Sequence, residues 1–109
     1  MRISEVVETT GLESLNAWED ADVSGVYISD MVSDIITGAE SGCILVTLQT
    51  HKSLIAAANL VDAAMVVVAH GKRPSEDVVQ LADKAGIALF SSAVDTWAYA
   101  VRLFELGMR

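Results

Sequence analysis

Four short polar clusters each follow directly on an apolar run in this sequence. Ser29 and Asp30 follow the run ending in Ile28. Gln49, Thr50 and His51, with Lys52, follow Cys43 to Leu48. His70, Gly71, Lys72 and Arg73 follow Met65 to Ala69, and Ser91 and Ser92 follow Ile87 to Phe90. Together they offer hydroxyls, an amide, imidazoles and cations, the groups that hydrogen-bond and neutralise a small anion such as a nucleotide. The same residue types close turns and cap helices, so every cluster also has a purely structural reading. His51 fits a neutral contact at a helix start, His70 before Gly71 fits a turn, and Lys72 with Arg73 fits a solvated turn. Asp30 and Asp34 are two carboxylates without a third ligand, and Asp30 suits a helix N-cap, so no metal site is expected. Cys43 opens an apolar run and reads as a buried small hydrophobe.

The motifs of catalysis are missing. Gly71-Lys72 lacks the upstream glycine of a phosphate loop and is followed by Arg73 rather than Ser or Thr; neither G-x-G-x-x-G nor G-x-S-x-G occurs. His51 or His70 could serve as acid or base, yet no orienting carboxylate or nucleophile can be assigned to either. The sequence therefore favours a non-enzyme without cofactors, whose role is binding or regulation. A pure interaction scaffold is the alternative, and a small histidine-based enzyme comes third.

These clusters need a scaffold, and the composition supplies one. A chain of 109 residues suits one domain, residues 1–109, and hides roughly 60–70% of the surface its unfolded form exposes. With 52% hydrophobic and 20% charged residues it is not a disordered tail, and its one proline marks no linker. A formal net charge of −8 repels phosphate backbones and anionic lipid, which disfavours nucleic acid and membrane as partners. The start, Met1-Arg2-Ile3-Ser4-Glu5, has no apolar stretch of signal-peptide type, and no run reaches the ~20 apolar residues of a membrane span. The single cysteine excludes an internal disulfide and a cysteine-cluster metal site. A cytoplasmic location is expected.

Three apolar runs, Cys43 to Leu48, Met65 to Ala69 and Ile87 to Phe90, are continuous rather than alternating. That pattern belongs to strands covered on both faces, as in a parallel sheet between helices. Helical patterns lie between them. One starts at Thr50 or Ser53; the next at Ser75, with an apolar stripe of Val78, Val79, Ala82 and Ala85 ended by Gly86; the last is capped by Asp95. The first half is less regular. Ser4 would cap a short helix ended by Gly11, Leu12 to Leu15 would be a short strand, and Asn16 to Asp22 an acidic loop. Val23 to Ile28 would be a strand, and Ser29-Asp30 would cap a helix, Met31 to Ala39, with Ile35 and Ile36 inward. The expected fold is a three-layer αβα sandwich with a largely parallel sheet, plus one or two edge strands, one of them antiparallel. In such a sheet ligands sit beyond the C-terminal strand ends, where the four polar clusters fall.

The last helix holds much of the aromatic content. Trp97, Ala100, Val101 and Phe104 recur at helical spacing, while Tyr99, Leu103 and Leu106 widen the apolar surface. A helix apolar over so much of its circumference is covered on several sides. Part of that cover can come from a second copy, giving a homodimer with Trp97, Tyr99, Leu103, Phe104 and Leu106 at the interface; docking on the sheet alone is the other explanation.

The segment Asp20 to Asp30, continued by Met31-Val32-Ser33-Asp34, resembles the segment that names the DRTGG domain. Val46-Thr47-Leu48-Gln49-Thr50-His51 and Ala100 to Gly107 resemble that family as well. The arginine and the second glycine of the name motif are not kept, Val26 standing at the latter. The resemblance spans nearly the whole chain and implies a stand-alone copy of the domain. It implies a three-layer fold similar to the HPr kinase/MurF N-terminal domain fold. It also implies a regulatory role, since such domains accompany CBS domains in nucleotide-regulated pyrophosphatases and sit beside phosphotransacetylase domains. Stand-alone copies are associated with hydrogenase gene clusters, which implies a partner enzyme. The kinase activity of the HPr enzyme lies in a different domain whose phosphate loop this chain lacks.

Overall fold

The computed structural model describes residues 1–109. In chain order the elements are α1 (Ile3–Thr10), β1 (Glu13–Ser14), β2 (Gly25–Ile28), α2 (Val32–Gly38), β3 (Cys43–Thr47), α3 (Lys52–Leu60), β4 (Met65–Val68), α4 (Glu76–Ala85), β5 (Ala88–Ser91) and α5 (Thr96–Glu105). Every residue of β3, β4 and β5 is buried, as continuous apolar runs demand. Each strand sends alternate side chains to opposite faces, so both faces need a lid.

The five strands form one sheet in the order β1-β5-β4-β3-β2. From β2 to β5 all pairs are parallel, with Ile44 beside Met65 and Met65 beside Ala88. Only β1 is antiparallel, placing Glu13 beside Ser91 at the edge. Because consecutive strands step in one direction, right-handed crossovers lay all three connecting helices on the same face. Ile35 of α2, Leu54 and Ile55 of α3, and Val78 and Ala82 of α4 pack there on Leu45, Val66 and Leu89. The other face is covered by α1 and α5, whose Ile3, Val6, Tyr99 and Leu103 pack on Ile44, Val67 and Phe90.

The irregular first half departs from expectation in detail. Helix α1 begins at Ile3, with Arg2 at its cap; the Glu5 carboxylate accepts a hydrogen bond from Arg2 N at 3.1 Å. Ser4 is already inside the helix and instead binds Asp20, its hydroxyl donating to Oδ2 at 2.7 Å. Helix α2 has Met31, not Ser29 or Asp30, at its cap. It turns only Ile35 inward, and Ile36 is exposed, because seven residues over an edge strand present one row of side chains to the sheet. Asn16 lies in the expected loop but extends the sheet: its amide donates to Ile87 O at 2.8 Å and accepts from Leu89 N at 3.0 Å, imitating one more residue of β1. Trp18 in the same loop meets Phe90 edge-on, centroids 5.4 Å apart.

Helix α5 is turned differently from the expected stripe. Tyr99 and Leu103, four residues apart, are buried, whereas Trp97 is 78% and Phe104 55% exposed. The rotation follows from a polar staple to α1. Thr10 donates its only hydroxyl proton to Val6 O at 2.6 Å, so the Tyr99 hydroxyl, 2.9 Å away, must be the donor to Thr10. Arg102 closes the same joint by donating to Thr10 O at 3.0 Å.

Burial pushes the Tyr99 phenol up to about 12. A phenol ionises near 10 in an unfolded chain. The folded state therefore binds the proton more tightly, and this contribution is whole below about pH 10 and is lost as pH rises toward 12. Urea unfolding should show stability falling by about 2 kcal/mol between about pH 9 and 11.5. Tyr99→Phe should lose most of that slope, and an unchanged slope would contradict the assignment.

Candidate functional site

Parallel pairing puts the C-terminal ends of β2, β3, β4 and β5 on one rim, so all four polar clusters meet there. Most of their polar atoms have partners within the rim. The Asp30 carboxylate accepts from Leu48 N at 2.7 Å and from the Thr47 hydroxyl, tying the end of β2 to the end of β3 rather than capping α2. Ser29 Oγ accepts from Met31 N. Gln49 Oε1 accepts from both Thr50 N and His51 N, and His51 is the N-cap of α3, its Nδ1 accepting from Ser53 N. Ser91 donates to Lys72 O at 3.0 Å, and Ser92 Oγ accepts from Val94 N. Arg73 forms an ion pair with Glu13 of β1.

The loops after β4 and β5 leave toward opposite faces, one feeding α4 and the other α5. Such a divergence opens a binding crevice in many open sheets. Here the chain itself fills it: His70 N donates to Val94 O at 2.9 Å and Gly71 N to Ser92 O at 2.7 Å. Both donors point inward because His70 and Gly71 adopt successive left-handed conformations, φ 64° and 65°. Glycine does so without cost; His70 is held there by the pairing.

Two clefts of similar size remain at this rim: one of about 340 Å³ beside the edge strand, lined by Glu13, Gly71, Arg73 and Ser91, where Arg73 is already paired with Glu13, and one on the α3–α4 side. The latter, of about 380 Å³, lies between the start of α3 and the outer surface of α4, lined by Thr50, His51 and Lys52 from one side and by Ser75, Asp77, Leu81 and Lys84 from the other. Its cations are the free ones. All four arginines are engaged: Arg2 with Asp20 and Asp22, Arg73 with Glu13, Arg102 with Thr10, and Arg109 over the Phe104 ring. The three lysines form no ion pair, and two of them, Lys52 and Lys84, line this cleft. Thr50, His51 and Lys52 were visible in the sequence as one cluster. Asp77 and Lys84 were not, because they belong to α4 rather than to a polar cluster after an apolar run.

The opposite rim is acidic. A wider cleft of about 700 Å³ there is lined by Glu19, Asp20, Asp22, Asp62 and Asp83. Hydrogen bonds from Ser4 hold the Asp20 carboxyl below its usual range, keeping it charged. An anion is repelled from this end. No group of three or more His, Cys, Asp or Glu side chains is arranged to hold a metal ion, and no helix is long and apolar enough to cross a membrane.

A singly wound, mostly parallel sheet between two helical layers, with its polar loops gathered on one rim, defines a small three-layer α/β domain. The chain belongs to the DRTGG domain family, whose model matches residues 5–106. Among solved structures it is similar to the CBS and DRTGG domains of the regulatory region of Clostridium perfringens pyrophosphatase, a structure complexed with the activator diadenosine tetraphosphate. The TM-score is 0.74 at 15% identity, with 93% of this chain and 45% of that one covered, so this chain spans less than half of its neighbour. No curated protein matches it.

The Asp30 clamp is testable. Asp30→Ala leaves the half-buried Leu48 N–H without its acceptor and should cost about 1 kcal/mol in urea melts, whereas Asp30→Asn keeps an acceptor oxygen and most of the stability. Equal losses from both would show that the charge, not the hydrogen bond, matters.

Proposed function

We propose that this chain is a non-catalytic regulatory module of the cytoplasm that works as a homodimer. It binds a small anionic ligand, a nucleotide by its chemistry, in the α3–α4 cleft, and passes that occupancy to a partner enzyme. The observation that carries the ligand half is the pairing of Lys52 and Lys84 in one cleft of an otherwise acidic protein whose arginines are all engaged. Thr50 and His51 add polar contacts, Asp77 suits sugar hydroxyls, and Val78 and Leu81 offer apolar surface to a base. The neighbour's complex with diadenosine tetraphosphate supports the same ligand class. Of the rim residues expected to bind ligand, Thr50 and His51 line the cleft. Ser29, Asp30, Gln49 and Ser92 hydrogen-bond within their own loops, Arg73 and Ser91 line the second cleft beside β1, and Lys72 lines neither.

Calorimetry with ATP, ADP and diadenosine tetraphosphate tests this reading. Binding should be measurable below about 1 mM and should weaken with added salt. Lys52→Ala combined with Lys84→Ala should weaken it at least about tenfold, the loss of roughly 1.4 kcal/mol, while Lys72→Ala changes it little. No heat with any of the three ligands, or binding indifferent to both lysines, would overturn the cleft as the site.

A further inference from the structure

We propose that the loops after β4 and β5 enclose a second anion site, for a compact oxyanion, which the chain's own oxygens hold shut and which opens into the cleft beside β1. It shares no lining residue with the α3–α4 cleft and goes beyond that reading. Of the four buried polar side chains, Thr10 belongs to the α1–α5 staple, and Thr47, Ser91 and Ser92 lie at the C-terminal ends of β3 and β5. Thr47 donates its proton to Asp30 and Ser91 donates to Lys72 O. Ser92 differs. It is 1% exposed, its Oγ accepts from Val94 N at 3.4 Å, and its own proton reaches no acceptor in the chain. A buried hydroxyl proton without an acceptor is unfavourable, and the closed fold supplies none. Facing the same turn, His70 N and Gly71 N end on Val94 O at 2.9 Å and Ser92 O at 2.7 Å. Successive main-chain N–H groups in a turn form a concavity that attracts anions. Here two carbonyl oxygens occupy it. His70 keeps a left-handed backbone to present its N–H there, and strained non-glycine residues of that kind gather at ligand clamps.

The cleft beside β1 supplies the cation and the way in. Gly71, Arg73, Ser91 and Ala93 line it, and so does Glu13, whose carboxylate holds the Arg73 guanidinium. Every donor at this point is therefore covered by an oxygen of the chain: carbonyls cover the two N–H groups and a carboxylate covers the arginine. An entering oxyanion replaces those oxygens with its own. Its oxygens take the His70 and Gly71 N–H groups, the Ser92 proton gains an acceptor, and Arg73 exchanges Glu13 for the ligand. Leu12 is the only large apolar side chain in the lining, so the wall offers a nucleobase little to stack on. The chemistry is that of inorganic phosphate or a terminal phosphate group. Parting the loops lowers the apparent affinity, because only the open fraction binds, and this sets binding in the millimolar range.

Amide NMR during a titration with inorganic phosphate, to about 50 mM at constant ionic strength, tests the site. The His70, Gly71 and Ser92 amide resonances should shift together and saturate. Glu13→Gln removes the competing carboxylate from an exposed position and should tighten binding at least about fivefold, whereas Arg73→Ala should abolish it. Ser92→Ala should weaken binding at least about threefold and leave the melting temperature nearly unchanged, because the proton it deletes has no acceptor in the closed fold. A purely structural Ser92 gives the reverse, a lower melting temperature with phosphate binding unaltered, and that result overturns its role. Absence of the three shifts in both the parent chain and Glu13→Gln overturns the site. So do shifts confined to Thr50, His51 and Ser75, which put phosphate in the α3–α4 cleft instead. A titration with AMP separates the two sources: shifts at the same three amides mean that a phosphate carried on a nucleoside is accepted, and shifts with phosphate alone mean that the oxyanion is free, either of which supports the site. The nucleotide calorimetry depends on Lys52 and Lys84, which take no part here, so each site can fail alone.

Discussion

Everything in this fold depends on three strands that cannot show either face to water. The side chains of β3, β4 and β5 are buried throughout, and each fully buried aliphatic side chain contributes about 1.5–3 kcal/mol only if it stays dry. A sheet of that kind must be roofed twice. Right-handed crossovers in a one-directional strand order supply three helices to one roof and leave the other to α1 and α5, the helices at the two ends of the chain. With no crossover to hold it in place, the second roof is joined by side chains. The Tyr99–Thr10–Arg102 staple is the polar part of that joint.

The same winding decides what the rim can do. Loops that leave one sheet toward opposite faces ordinarily part and admit a ligand. Between β4 and β5 they part and are then sewn together by two backbone hydrogen bonds, at the expense of a left-handed histidine. The cleft on the α3–α4 side collects two of the three lysines, and a second cleft, lined by Arg73 and Ser91, opens beside β1. Acidic groups line the cleft on the opposite rim, which disfavours an anion there.

The proposed function requires that an occupied site be connected to another surface. The α3–α4 cleft lies on the α2–α3–α4 roof and the Trp97–Phe104 surface on the α1–α5 roof, with the buried sheet between them. The loops after β4 and β5 are the elements that belong to both roofs. Their backbone pairing at His70 and Gly71 ties the segment that leads to α4 to the segment that leads to α5 through two hydrogen bonds. That arrangement lets the α4 side and the α5 side be held in a fixed relation by a few main-chain bonds rather than by side-chain packing.

The sequence alone determined the layers. Continuous apolar runs separated by capped helical stripes leave no other arrangement than a doubly covered, mostly parallel sheet, and Gly11, Ser75, Gly86 and Asp95 mark helix ends where the chain places them. It also determined that the polar clusters share one rim, because parallel strands put their ends together. What it could not determine was the partner of each polar atom. Asp30 looks like a cap and is a clamp, Asn16 looks like loop and is a strand mimic, and Lys84, which no sequence pattern singles out, lines a cleft. Trp97 and Phe104 look like the buried stripe of α5, yet Tyr99 and Leu103 occupy it. Periodicity says that a helix has an apolar face; when the residues are apolar nearly all round, only the contact with α1 and the sheet can choose which side goes in. Hydrogen-bond partners far apart in the chain are fixed by packing, and packing exists only once the layers have closed.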